Sequence, residues 1–139
     1  MGVDIYPEFE NESNKENCFR ELQESNILRN NGNMRAIINE GWLSVLDFFV
    51  DEHELFVGGL DSVSYLPYMC QIIGPINNKI VKVWAGMANE KISSLVPDKD
   101  NNCSVISKTR AFEAPLSDFE TIAKYLTICA RNNASLEFC

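Results

Sequence analysis

His53 is the single histidine of the chain and stands in the run Asp51-Glu52-His53-Glu54. In an extended segment, Asp51 and His53 would share one side, offering a carboxylate and an imidazole of the kind that hold zinc or iron. Such centres take three or four protein ligands, and this sequence has one imidazole to give, so no metal is expected. The helical alternative places His53 four residues after Phe49 on an apolar face, as a core or rim residue, and the spacing favours it. His53-Glu54 does not open a zinc-protease motif either, because Leu55, Phe56 and Val57 follow it.

Cys70 or Cys103 could approach His53 as a nucleophile, but no local feature of the sequence marks either thiol as activated. Gly58-Gly59 is followed by Leu60-Asp61 rather than by a phosphate-holding lysine, so it reads as a turn, and there is no nucleophile elbow. Glu8 and Glu10 form a carboxylate pair fit for acid–base work. On the polar stretch that holds them, however, both would be solvated. No cofactor is expected.

The stretch Gly41 to Gly59 holds the densest apolar and acidic runs together, and it must position most of these groups. As a helix it aligns Trp42, Val45, Leu46 and Phe49 on one face, turns Ser44 and Asp47 away, and is capped by Asn39. Upstream, Val3, Ile5 and Tyr6 read as a strand ended by Pro7, Glu8 to Asn17 as a loop, and Cys18, Phe19 and Leu22 as one face of a two-turn helix. Asn31-Gly32 suits the tight turn of a hairpin over residues 26–38.

Downstream, Tyr65 to Ile73 has the spacing of a short helix. Lys79 to Leu95 is read as a helix on Val81, Trp84, Ala88, Ile92 and Leu95, although Ile80 to Trp84 alone would suit a strand, and Cys103 to Phe112 is read as a strand. Ser117 to Glu120 forms a capping box ahead of a helix whose face is Phe119, Ile122, Ala123, Leu126, Cys129 and Ala130, and which Asn132-Asn133 ends. The pattern predicts an α+β fold: a small mixed or antiparallel sheet with several helices on one face, in a single domain over residues 1–139.

Five widely spaced cysteines without a C-x-x-C pair argue against a zinc framework and a disulfide framework alike. No apolar run approaches the roughly 18 residues a membrane span needs, and no leader is evident, so a soluble, cytoplasmic chain is expected. The net charge is −8, and the whole excess lies in the first 61 residues. Residues 1–25 carry seven acids against Lys15 and Arg20, and residues 40–61 carry six acids with no base.

Such a field repels nucleic-acid backbones and draws in a basic protein. The expected function is therefore that of a small acidic binding protein rather than an enzyme, of the inhibitor, immunity or antidote type, which neutralises a basic partner such as a nuclease toxin. Its expected contact residues are Asp47, Asp51, Glu52, Glu54 and Asp61, with Glu8, Glu10 and Glu12. The alternatives are a small enzyme with a site around His53 and its acids, or an oligomeric accessory subunit marked by exposed Trp84 or Phe56.

Overall fold

Two short runs of alternating side chains, about 130 residues apart in the sequence, pair with each other. The computed structural model describes residues 3–27, 36–38, 40–50, 76–106 and 111–138. In chain order these form β1 (Val3–Glu8), α1 (Glu12–Glu24), β2 (Ala36–Ile38), α2 (Glu40–Val50), α3 (Asn78–Ile92), β3 (Asn102–Ile106), β4 (Ala111–Pro115), α4 (Leu116–Arg131) and β5 (Ser135–Phe138). The fold is α+β, with antiparallel sheets ordered β2-β1-β5 and β3-β4 and helices packed against them.

β1 runs through Pro7 to Glu8 instead of stopping at the proline, and the register shows why. Pro7 lies opposite Leu136, whose N–H and C=O are both spent on Ile76 at its far side. In an antiparallel ladder, such a pair exchanges no hydrogen bond, so the missing N–H of Pro7 costs β5 nothing. It faces instead the side where β2 is paired only as far as Ile5. The pleat turns Ile5, Pro7 and Leu136 inward and leaves Glu8 exposed.

The polar stretch expected to be a loop supplies the first six residues of α1. Asn11 Oδ1 accepts from the N–H groups of Ser13 (2.8 Å) and Asn14 (3.2 Å), so the helix starts at Glu12. Cys18, Phe19 and Leu22 are its buried face, as the spacing predicted, and the other sides meet water. Phe9 packs edge-on against Phe19 at 5.5 Å.

Asparagine does much of the punctuation in this fold. Asn77 caps α3 through Ile80 N–H, as Asn11 caps α1. Asn26 and Asn133 hold φ of 56° just beyond α1 and α4. There Ile27 and Ala134 donate back to Leu22 and Cys129, the two-bond ending that usually recruits glycine. Asn101, at φ 61°, turns the chain into β3. Asparagine tolerates the left-handed region because its short amide bonds locally.

α3 confirms the helical reading of its stretch, with Val81, Trp84, Ala85 and Ala88 buried. Trp84 is fully buried, so it is no sign of an oligomer contact. The strand expected from Cys103 to Phe112 is instead two strands, paired from Asn102↔Pro115 to Ile106↔Ala111, with Cys103, Val105 and Ala114 inward. α4 begins at Leu116, not at the expected capping box. Its N-cap is Pro115 without a side-chain bond, and the turn at Asn101 takes the Leu116 N–H at 2.7 Å. The predicted face of α4 is entirely buried, with Tyr125 and Ile128 added to it.

Val45, Leu46, Phe49 and Val50 of α2 are in the core. Phe48, Phe49, Phe112 and Phe119 form an aromatic cluster with ring centroids 5.9–6.5 Å apart. Lys91 Nζ lies 4.8 Å from the Phe48 ring centre and donates to the Phe48 carbonyl, so α3 supplies a cation to the last turn of α2. No helix among the described residues is long and apolar enough to cross a membrane. The Asn31-Gly32 turn, the cap at Asn39 and the helix expected over Tyr65 to Ile73 lie outside the described residues.

Candidate functional site

The expected acidic contact surface divides into three parts. Glu8 at the end of β1, Glu10 in the link to α1, and Glu12 in the first turn of α1 are all exposed. Asp47 is not: at 5% exposure it is buried with Ser44, so the acidic surface loses it. The helical wheel had turned both residues outward, but α2 is enclosed on that side as well as on its apolar face. Asp51, Glu52, Glu54 and Asp61, and with them His53, lie outside the described residues.

Glu8 and Glu10 share a hollow of about 490 Å³ with Asn11, Asn14, Asn77, Asn78, Asn133 and Ser135. β1 ends here, α1 and α3 begin here, and the chain leaves α4 here to enter β5. Each junction is fixed by a side chain. Asn11 and Asn77 cap the two helices, Asn78 Nδ2 donates to the carbonyls of Ala130 (3.2 Å) and Ala134 (2.8 Å), and Ser135 Oγ donates to the Glu8 carbonyl at 3.4 Å. The lining holds two carboxylates and no lysine or arginine. Asn11 and Asn77 also occupy N–H groups in the first turns that would otherwise attract an anion. The hollow is therefore polar and carries negative charge alone.

Composition flagged Glu8 and Glu10, but it missed the asparagines and Ser135. The signal for Asn77 was present: a cap residue directly ahead of the periodic run Ile80, Val81, Trp84.

Cys103 and Cys129 have the opposite of nucleophilic character. Cys18, Cys103 and Cys129 are buried and unbridged. Burial pushes the Cys103 thiol up, with help from the charges of Asp98 and Glu120. Burial and the neighbouring Cys18 push Cys129 far up, against a smaller opposing bond from Tyr125. No group of three metal-ligating side chains occurs among the described residues.

Glu21 marks how α1 is held. It accepts from Asn132 and Arg131 at the end of α4. Burial raises its carboxyl, but the bonds from Asn132 and Arg131 outweigh this, and the net position is below the ordinary 4.5. A carboxyl lowered in the folded state adds stability above its unfolded value, and that stability is lost as pH falls through the folded one. Urea unfolding of the parent and of Glu21→Gln, followed from pH 7 down to pH 3, should give curves that differ at neutral pH and converge below about pH 4.5. A constant gap would deny Glu21 this part.

No family model, no curated protein and no solved structure matches this chain.

Proposed function

We propose that this chain is a small cytoplasmic protein-binding protein of the inhibitor, immunity or antidote type, which uses an acidic face in its N-terminal part to occupy a basic surface such as that of a nuclease toxin. The observation that carries this reading is the hollow at Glu8 and Glu10, a concave polar surface lined by acids without bases. Glu12, Glu16 and Glu24 on the exposed side of α1 continue the same charge. Asp51, Glu52, Glu54 and Asp61 add to it by sequence alone. A partner that holds nucleic acid must be positive where it does so, and such a surface complements this one.

The test reverses Glu8, Glu10 and Glu12 to lysine together, a change of six charges at exposed positions. Folding should survive, with a cost below about 1 kcal/mol from the lysine in the first turn of α1. A partner captured from the native cell by the parent chain then serves for stopped-flow measurement at several salt concentrations. For the parent, association should exceed the roughly 10⁵–10⁶ M⁻¹s⁻¹ of unsteered pairs and fall with salt, and the reversal should slow it at least tenfold at low salt. Dissociation should respond less to salt. Association indifferent to both salt and reversal would overturn the proposal.

A further inference from the structure

The hairpin β3-β4 is a sheet of two strands, so each strand has an outer edge. The phase of the ladder decides which backbone groups face outward. Leu116 N–H donates to the Asn101 carbonyl at 2.7 Å, which makes these two a hydrogen-bonded pair. Along the register every second pair is then bonded too, Cys103 with Ala114 and Val105 with Phe112. The N–H and C=O groups of Asn102, Ser104 and Ile106 therefore point away from β4.

The two edges are not alike. On β4 the outward groups belong to Ala111, Glu113 and Pro115, so that edge carries a carboxylate and lacks a donor at its end, and the strand also packs against α2 and α4. Charge and proline are the usual guards against pairing with another chain. On β3, Asp98 closes only the first position: its Oδ1 accepts from Asn102 N–H at 3.0 Å, and its own N–H donates to the Asn102 carbonyl at 2.9 Å. Ser104 and Ile106 are uncharged and exposed, Ile106 at 78%. Among the described residues nothing bonds to their outward backbone groups.

We propose that this open edge of β3 pairs with the β3 edge of a second copy of the chain, antiparallel about a two-fold axis through Val105, and so joins two hairpins into one sheet. Ser104 of each copy then lies opposite Ile106 of the other, and the outward groups of both residues are all used. Asp98 ends the ladder on either side. Charge sets both the occupant and the direction. The run Asp98-Lys99-Asp100 that leads into β3 is net acidic, and Lys108 and Arg110, which follow it in the sequence, are basic. Antiparallel strands bring the start of one toward the end of the other, so two copies meet opposite charges, whereas parallel pairing sets like against like. The pairing is separate from the binding role argued above. So short a ladder makes a weak dimer, whose population follows concentration.

The test follows the full chain by sedimentation equilibrium from about 10 μM to 1 mM, the weak end of the affinity scale. The mass should rise from 15.7 kDa toward twice that value. Amide hydrogen exchange, read residue by residue by NMR over the same range, should slow at least about tenfold at Ser104 and Ile106 once the dimer dominates. It should not change at Asn102, whose N–H is already bonded. Ser104→Pro removes an outward N–H without touching the ladder to β4, so it should fold, with the circular dichroism of the parent, and stay monomeric throughout. If that variant fails to fold, the exchange pattern of the parent still decides. A mass of 15.7 kDa at every concentration, a dimer that leaves the Ser104 and Ile106 amides unprotected, or a folded Ser104→Pro chain that still dimerises would overturn the proposal. So would protection of these amides only on adding another protein, which would give the edge to a foreign strand.

Discussion

Phe119→Asp should leave a chain that does not fold at room temperature. Phe119 is fully buried in the first turns of α4, and Phe48, Phe49 and Phe112 surround its ring at 5.9–6.2 Å. The substitution removes an aromatic side chain worth about 3–5 kcal/mol when truncated, and it puts a carboxylate among three rings. Together these losses approach the whole of the roughly 5–15 kcal/mol by which a domain is stable. Circular dichroism should show little helix, and urea should produce no cooperative transition. A variant melting within a degree or two of the parent would show that these rings are not the core.

Trp84→Ala should cost about 3–5 kcal/mol and still leave a folded minority or a weakly folded chain. Trp84 is the largest of the fully buried side chains among the described residues and sits mid-way along α3, where Val81, Ala85 and Ala88 are buried with it. Alanine keeps the helix, since it is the best helix former, so the loss is one of packing alone. With a urea slope of about 1–3 kcal/mol/M, the midpoint should fall by roughly 2 M, and Trp84→Phe should restore part of it. A midpoint unchanged by the alanine would mean that α3 does not bury this residue against its neighbours.

Both of these positions were legible in the sequence because α3 and α4 bury broad faces, and a broad face repeats its apolar residues often enough to show the helical period. α1 was half hidden for the same reason inverted. Only Cys18, Phe19 and Leu22 are buried, and its first two turns meet water, so they read as loop until Asn11 is recognised as a cap. β5 went unread because it is four residues long, and the partner that gives it a reason to be a strand lies at the other end of the chain.

Asp47 was placed on the surface because a helical wheel knows one apolar face, whereas α2 is enclosed on its polar side too. At the candidate site, the charge of Glu8 and Glu10 was plain, but the hollow was not. Its walls are asparagines whose visible task is to cap helices and bond to carbonyls, and only their convergence from three parts of the chain makes a concavity.

The pairing of β1 with β5 also sets a clock. A ribosome adding about 5–20 residues per second makes Ile5 roughly 6 to 25 s before it makes Leu136. Throughout that interval, Ile5, Tyr6 and Pro7 lack the strand they will lie against, while α1 and then α3 have already emerged. Loop-closure entropy must be overcome across nearly the whole chain before the three-stranded sheet gains its second ladder. For any chaperone that meets the nascent protein, the period of exposure is thus governed by the arrival of four residues, Ser135 to Phe138.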